Sequence, residues 1–532
     1  MSTFNLMKPV AFSVAIACMG IAPAMADKND HDHGKRDFGA RVENLLHKQS
    51  KKLFGVKKPL NETAEPNIAR TPGQNADDLI FLAGGLKAKI FSRDVAHKWD
   101  QMGFWPNAEN PTHLVGCIEE FNRQEIAPYA NGNTRYNPSV QTIDLKTREV
   151  RTVLRGMSGC DGIRVTPWGT VLVTEEDGRT DGDGHLGGVY EILDPLAFEE
   201  GNLVARQSSN VVDPNGNAIV GQVAYRGALP TMSYEGFAVL SNGIVIAGDE
   251  LRPGTITDDF GTQDTDGGAI YKFIPDLPHA DGLISDLADS PLVSGTTYAM
   301  QVSCRDSRQQ VGQGCEVGNA AWVQVQADDA RNDANRKGAT GYYRPEDLHQ
   351  DPMYKDEANP AAVRFCWANT GNEGASNFGE VVCGVDSDPL LADSDTRSVV
   401  VNRFVEGDGD FTSVDNLAFQ PKTGNLYAIE DHPNGDVWAM LPDGADRDIK
   451  TDGYVKIMRV KDQSAEPTGF IFSANGRSAF VNIQHSADPA DGSMDRNGWG
   501  TDDLIKITGF KVKNDHKRGK YYYKGKYYYK GK

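Results

Sequence analysis

The chain has 532 residues, of which 39% are hydrophobic, and its net charge is −19. This length is enough for one large β domain or for two domains of ordinary size. The excess of acidic residues argues against nucleic acid as the ligand of the main domain and favours cations, although an acidic surface can also serve solubility in a saline setting.

The first 26 residues have the pattern of a secretory signal. Lys8 supplies a positive charge, an apolar stretch follows it, and Ala24-Met25-Ala26 matches an A-x-A cleavage site. The apolar stretch is too short to span a membrane, and no later segment is apolar enough to be transmembrane. The sequence therefore predicts bacterial Sec-type export, to the periplasm, the cell surface or the medium.

Three further regions follow the signal. Residues 27–75 form a basic N-terminal extension and linker, in which residues 38–53 have the pattern of a short amphipathic helix. Residues 76–510 read as β-strands separated by long loops rich in Asp and Gly. Residues 511–532 form a low-complexity tail with the repeat K-G-K-Y-Y-Y, and we expect its cations and tyrosines to bind an anionic cell-surface or matrix polymer.

Six cysteines follow the signal, and an even number in an exported chain favours disulfides. The pairs that the sequence predicts are Cys304 with Cys315, which bracket a polar loop, and Cys366 with Cys383, on neighbouring predicted strands. Cys117 and Cys160 remain. Two interpretations stay open for Cys160, namely a disulfide with Cys117 or a thiolate that binds a metal.

A strand–turn–strand unit with polar residues at both ends occurs four times. The first copy, GCDGIRVTPWGTVLVTEED at residues 159–177, turns at Gly169. Its two ends lie close together because a hairpin returns the chain to its starting point. The residues that open and close the four units are Cys160, Asp161, Glu175 and Glu176; Glu235, Asp249 and Glu250; Asp415, Glu430 and Asp431; and Glu466, Asn482, Gln484 and His485.

Imperfect repeats of such a unit predict an all-β propeller or a related radial array. In a propeller the corresponding ends of the inner strands face one axial channel, so the acids of the four units would meet there. Carboxylates packed together repel one another unless a cation lies among them. Oxygen ligands in this number favour calcium or another hard cation. The alternative is that the acids cap loops and face water.

The segment Tyr342-Tyr343-Arg344-Pro345-Glu346-Asp347 has the outline of a phosphate site. Pro345 biases Arg344 towards an extended conformation, which would place Arg344 and Glu346 on one face of the strand. The guanidinium would hold two phosphate oxygens while a metal on the carboxylate takes another. The alternative is a surface ion pair.

In these motifs the sequence resembles the PhoX family of secreted bacterial alkaline phosphatases. The matching phrases are Cys160 with TPWGT and EE, Glu235 before GDE, RPED at residues 344–347, DNLAF with ED at residues 415–431, and EPTG with FVNIQH at residues 466–485. The resemblance implies a six-bladed β-propeller that hydrolyses phosphomonoesters at an iron and calcium centre in its channel.

The resemblance also implies roles for individual residues. Cys160 would be a thiolate that bridges irons, Glu235 and Glu346 would be iron ligands, and Arg344 would be the phosphate clamp. Glu175 and Glu176 would face calcium or substrate. The residues that it places more loosely in the metal region are Asp249, Asp415, Glu430, Glu466, Gln484 and His485.

Two functions are consistent with the sequence. The chain has no G-x-S-x-G, H-E-x-x-H or G-x-x-x-x-G-K-[ST] motif, which removes the simplest assignments as a serine hydrolase, a zincin or a P-loop NTPase. The first function is a secreted phosphatase that acts on small phosphate esters. The second is a calcium-stabilised propeller that acts as a cell-surface or matrix scaffold without catalysis.

Overall fold

The computed structural model describes residues 38–61, 68, 70–71, 73–178, 185–254, 267–303, 316–442, 453–485 and 500–512. The chain divides into two compact units, Met1–Leu45 and Leu46–Lys532. The predicted amphipathic helix is present and spans Phe38–Leu53. The other described helical segments are Ala76–Leu79, Leu287–Asp289, Pro291–Val293, Ala327–Asp329, Ala330–Arg336 and Glu373–Ala375. None of the described helices is long and apolar enough to cross a membrane.

The second unit is built from sheets whose strands are almost all antiparallel. A six-stranded sheet contains Trp99–Trp105, His113–Ile118, Pro138–Asp144, Val150–Arg155, Gly201–Leu203 and Val211–Val212, and a four-stranded sheet contains Cys160–Val165, Val171–Glu175, Val189–Ile192 and Val223–Tyr225. A ten-stranded sheet contains Tyr234–Val239, Val245–Asp249, Gly268–Pro275, Gly295–Ser303, Gly318–Val325, Val399–Glu406, Glu380–Asp386, Val363–Asn369, Pro345–Gln350 and Gly341–Tyr342.

The remaining sheets include strands from both ends of the described chain. A five-stranded sheet contains Val414–Phe419, Leu426–Glu430, Asp436–Met440, Tyr454–Val460 and Ile80–Leu82, and a four-stranded sheet contains Ala465–Phe472, Ser478–His485, Asp503–Thr508 and Lys87–Ser92. Glu125–Ile126 and Arg135–Tyr136 form a two-stranded ribbon. Early strands therefore complete late sheets, which closes the arrangement on itself.

Six strands, which we call the inner strands, lie along the centre of this arrangement. They are Trp99–Trp105, Cys160–Val165, Tyr234–Val239, Pro345–Gln350, Val414–Phe419 and Ala465–Phe472. Each packs against the next, and the last packs against the first. The fold is thus all-β and propeller-like, as the repeats predict.

The core lies between neighbouring sheets. One cluster of buried side chains joins Val115 and Val153 of the six-stranded sheet to Ile163 and Val173 of the next sheet. Strands such as Leu426–Glu430 are buried along their whole length because they have a sheet on each side. This explains why these hairpins read as nearly continuous apolar runs.

Two disulfides are present among the described residues. Cys366 is bonded to Cys383 across adjacent strands, which confirms that predicted pair. Cys117 is bonded to Cys160 and links the first two sheets. The predicted pair Cys304–Cys315 lies outside the described residues, as do the signal region and residues 513–532 of the tail.

Candidate metal centre

Every inner strand carries an acid at its second position. These acids are Asp100, Asp161, Glu235, Glu346, Asp415 and Glu466. In five of the six strands the acid is the first of two residues that face a single residue of the partner strand, which is the geometry of a β-bulge. A bulge turns side chains away from the regular alternation of a strand, and here it accompanies all of these acids except Glu466.

These acids approach one another closely. Three groups have carboxylate oxygens that all lie within 4.8 Å of one another, namely Asp100 with Glu119 and Asp161, Asp161 with Glu176 and Glu235, and Glu235 with Glu346 and Asp415. The groups share members and so form one continuous cluster. Gly162 permits the approach of neighbouring strands, because a Cβ at this position would lie 1.8 Å from the carbonyl oxygen of Glu235.

A second set of acids follows the second strand of four of the hairpins. They are Glu119, Glu176, Glu250 and Asp431. Together with Asp100, Glu235, Asp415 and Glu466 they line one cavity of about 620 Å³. We call this cavity the acidic cavity.

Several carboxylate oxygens of the cluster are buried without a hydrogen-bond partner in the described part of the protein. They are Oδ1 of Asp100 and Oε2 of Glu176, Glu235 and Glu346. An unpartnered buried carboxylate is costly, whereas a cation among such oxygens would satisfy them. The oxygens therefore have the character of a metal site that is built from hard ligands.

The pKa values of these acids are raised by their burial and by their closeness to one another. Burial, reinforced by neighbouring carboxylates, raises the pKa of Asp161, Glu235 and Asp415 well above the usual range. Burial also raises the pKa of Glu346 to about 8, against the opposing effect of Arg344. The pKa of Glu119 rises to about 7 for the same primary reason. The cluster resists ionisation unless positive charge is supplied.

Arg344 is the predicted phosphate clamp, and it lines the acidic cavity. Its Nε donates to Glu250 at 2.7 Å, and its Nη2 lies 3.0 Å from Glu346 and 3.7 Å from Asp431. Its φ is 56°, so its backbone is left-handed. The extended conformation that the sequence predicts for Arg344 is therefore wrong. Arg344 and Glu346 nevertheless meet, so Arg344 lies between the acidic cavity and a member of the carboxylate cluster.

The adjacent acids Glu175 and Glu176 face opposite sides of their strand. Glu176 belongs to the cluster, whereas Glu175 accepts from Nε of Arg206 at 3.0 Å and from the backbone N–H of Ser158 at 3.0 Å. Glu175 is fully buried in that ion pair and does not line the acidic cavity. The sequence predicts Glu175 beside calcium or substrate, whereas the structure places it in a buried ion pair outside the lining of the acidic cavity.

The same correction applies to the closing acids of two other hairpins. Glu430 accepts from the backbone N–H groups of Thr412 and Asp436 and from the indole of Trp438. Asp249 accepts from the backbone N–H of Ser233 and forms a two-point ion pair with Arg331 at 2.7 and 2.5 Å. Neither acid is in the cluster. Their neighbours Asp431 and Glu250 line the cavity instead, because side chains alternate along a strand.

The prediction of Cys160 as a bridging thiolate is also corrected. Its sulfur is bonded to Cys117, which is the alternative that the sequence left open. A disulfide sulfur carries no charge and is not a thiolate ligand. The neighbouring Asp161 contributes to the cluster in its place, with a 3.1 Å hydrogen bond from Gln101 to hold it.

The last hairpin contributes at the edge of the site. Glu466 lines the acidic cavity, and burial together with the charge of Asp431 raises its pKa well above the usual range. Gln484 donates to Glu119 at 3.0 Å and so orients a cluster member. The backbone of His485 pairs with Ala465, but the side chain of His485 lies outside the described part of the structure.

Sequence reasoning missed two cluster members, Asp100 and Glu119. They open and close a hairpin made of Trp99–Trp105 and His113–Ile118, which is a further copy of the repeated unit. Its turn contains Pro106 and several polar residues in place of the Gly-centred turns that mark the other copies. The sequence signal for this copy is the acid in WDQ at residues 99–101, followed by the acids in CIEE at residues 117–120.

A comparison with protein families finds one that matches part of the chain. Residues 253–487 match the family described as alkaline phosphatase PhoX. The resemblance to PhoX is confirmed over this segment. The segment contains Arg344, Glu346, Asp415 and Glu466, whereas the cluster members from Asp100 to Glu235 precede it.

Solved structures resemble the whole arrangement. PhoX from Pseudomonas fluorescens, solved in complex with vanadate, a transition-state analogue, is 15% identical with a TM-score of 0.50, and the match covers 84% of this chain and 98% of that chain. This similarity supports the PhoX-like fold. A gluconolactonase from Xanthomonas campestris is 13% identical with a TM-score of 0.35, covering 84% of this chain and 94% of that one. No curated protein sequence matches the chain.

Proposed function

We propose that this protein is a secreted, metal-dependent phosphatase that hydrolyses phosphomonoesters in the acidic cavity. One observation carries the proposal: buried carboxylate oxygens without partners and the guanidinium of Arg344 line the same cavity. Cations among the carboxylates and an arginine beside them are the two elements that phosphate recognition requires. The PhoX match, which includes Arg344 and Glu346, supports the same reaction class.

Calcium fits the donors of this site. Calcium takes six to eight oxygen ligands in flexible geometry, and the overlapping groups around Asp161 and Glu235 offer carboxylates in that number. We propose Asp100, Glu119, Asp161, Glu176, Glu235, Glu346 and Asp415 as the residues that would hold it. A bound cation would offset the charge of these carboxylates and polarise a phosphoryl oxygen.

The iron that the resemblance implies does not fit equally well. Its bridging ligand would be Cys160, whose sulfur is bonded to Cys117. The donors that remain are carboxylates, which suit hard cations. We therefore propose a centre of calcium or another hard cation and assign no role to iron.

Arg344 would bind the phosphate itself. Burial alone would lower its pKa, but Glu346, Glu250 and Asp431 raise it, so the guanidinium stays charged. These three acids also fix the direction of the guanidinium before a substrate arrives. Because its donors are positioned in advance, Arg344 would stabilise the charge on the phosphoryl oxygens without reorganisation of the site.

The number of blades and the cellular setting form part of the proposal. Six inner strands in a closed order of contacts favour six blades, with the ten-stranded sheet as two blades joined at Gly318–Val325 and Val399–Glu406. The signal pattern of the first 26 residues favours Sec-type export, and the basic tail favours attachment to an anionic surface or matrix polymer.

A calcium scaffold without catalysis is the second candidate, since a buried acid cluster can serve structure alone. A phosphatase assay on purified, calcium-loaded protein separates the two functions. Hydrolysis of an aryl phosphate at alkaline pH, lost with a chelator and restored by calcium, would support the enzyme. Full calcium occupancy without hydrolysis would support the scaffold.

A further inference from the structure

Arg344 is one of three arginines that line the acidic cavity, together with Arg252 and Arg331. Arg331 lies on the short helix Ala330–Arg336, and it contributes to the cavity wall together with Gly178 and Ser233. Its side chain is only 8% exposed. Arg331 is thus a buried arginine at a cavity that is lined mainly by carboxylates, in addition to the phosphate clamp Arg344.

Asp249 holds the guanidinium of Arg331 on one side only. Nε and Nη2 donate to the two oxygens of Asp249 at 2.7 and 2.5 Å. No described residue accepts a hydrogen bond from Nη1. This nitrogen would lie 3.9 Å from a Cβ placed on Gly178, which also lines the cavity. The ion pair thus uses the Nε and Nη2 edge of the guanidinium, and the Nη1 donors remain on the cavity side.

Arg331 and Arg344 differ in how much negative charge surrounds them, whereas Arg252, the third arginine of the cavity lining, is exposed. Arg344 lies within 4.0 Å of Glu250, Glu346 and Asp431, whereas among the described residues Arg331 forms an ion pair with Asp249 alone. Glu250, Arg331 and Arg344 all line the acidic cavity. Arg331 therefore offers donors for a second anion on the Gly178 side of the cavity.

We infer that Arg331 selects substrates with a second anionic group, such as a carboxylate, in addition to the phosphate that Arg344 binds. This inference rests on the proposed phosphatase function and narrows its substrate class to phosphorylated acids. Arg331 would contact the non-reacting end of the substrate through Nη1. Asp249 would be a positioning residue, because it acts only by orienting Arg331.

A matched pair of substrates tests the inference. 3-Phosphoglycerate and glycerol 3-phosphate differ mainly in a carboxylate that replaces a hydroxymethyl group. The full-length, calcium-loaded protein should prefer 3-phosphoglycerate in kcat/KM. Arg331→Met should reduce this preference roughly 10- to 100-fold, the effect expected when a hydrogen bond to a charged group is lost. Arg336→Ala, a more exposed arginine on the same helix, is the control and should keep the preference.

The outcomes separate this inference from the proposed function. Hydrolysis of both substrates without a preference, or a preference that survives Arg331→Met, would overturn the role of Arg331 and leave the phosphatase intact. If neither substrate is hydrolysed, calorimetric binding decides: tighter binding of 3-phosphoglycerate that requires Arg331 would support the anion site, and equal binding would overturn it. If Arg331→Met fails to fold, Asp249→Asn/Arg331→Met removes both charges, and the same loss of preference is expected.

Discussion

Arg344 is held in a conformation that few arginines adopt. Its φ of 56° is left-handed, although Pro345 follows it and biases a preceding residue towards extended backbone. Its N–H donates to the carbonyl of Leu251, and its carbonyl accepts from Thr370. Such strain costs on the order of 1–3 kcal/mol and persists where surrounding structure fixes it, which is frequent at functional sites. The conformation brings the guanidinium onto the acidic cavity.

Removal of this guanidinium tests its role as the clamp. Arg344→Ala should lower the turnover of an aryl phosphate by roughly 10²–10³, the scale found when one charge-stabilising donor is removed. Arg336→Ala, on a partly exposed side chain that pairs with Asp329, should leave turnover within about twofold. Equal turnover in Arg344→Ala and wild type would remove Arg344 from the reaction.

The adjacent acids Glu175 and Glu176 provide a second test at the residue scale. Glu176→Gln should weaken calcium binding roughly tenfold or more, because affinity follows the charge of the ligand set. Glu175→Gln should lower the free energy of unfolding by roughly 2 kcal/mol, because it removes one of the two carboxylates, Glu175 and Asp177, that pair with the buried Arg206, and should change calcium affinity much less. Calorimetric titration and denaturant unfolding measure the two effects. The reverse pattern would exchange the roles assigned to these acids.

At the scale of elements, the repeated hairpin explains what sequence could and could not predict. The period of the units located Glu235, Asp415 and Glu466, because an acid that opens a strand after a loop is visible in the sequence, whereas Glu346 was found from the RPED segment. The same period could not separate Glu430 from Asp431, since both close a strand and only the alternation fixed by the register decides which one faces the cavity. The bulges that set this register leave no recognisable pattern of residues.

The disulfide between Cys117 and Cys160 joins an inner strand to the neighbouring sheet. Non-reducing peptide mapping of calcium-loaded protein should find this crosslink together with Cys366–Cys383. Cys117→Ser/Cys160→Ser should lower the free energy of unfolding by roughly 2–4 kcal/mol. Wild type and this variant should both lack bound iron, and Cys366→Ser/Cys383→Ser is the matched control for the loss of a disulfide. A free Cys160 thiol in iron-loaded, active protein would contradict the all-oxygen centre.

For the whole molecule, the cluster ties folding to cations and pH. Because the acids are buried with few compensating charges, their ionisation lowers the free energy of unfolding of the metal-free protein.

The radial arrangement and the acid-rich centre followed from the repeats. The strands Ile80–Leu82 and Lys87–Ser92, which complete the last two sheets, lie too far in sequence from their partners to be predicted.

The stability of the metal-free protein should decrease as the pH rises. The folded-state pKa is about 7 for Glu119 and Glu175 and about 8 for Glu346 and Glu430, with burial as the first cause in each. Because these values exceed 4.5, the ordinary pKa of a glutamate, the stability they contribute is fully present below pH 4.5 and is lost between that pH and about pH 8. Denaturant midpoints with a chelator should be higher at pH 6 than at pH 9. A higher midpoint at pH 9 would contradict the raised pKa values.

The most direct test of the account is a calcium titration of metal-free protein with simultaneous measurement of binding and aryl phosphate hydrolysis. We predict that calcium binds to the acidic cavity and that hydrolysis appears as the sites fill, with both effects weakened by Glu235→Gln. Arg344→Ala should bind calcium but hydrolyse poorly. Calcium binding that Glu235→Gln leaves unchanged, or full occupancy of the wild type without hydrolysis, would contradict the account.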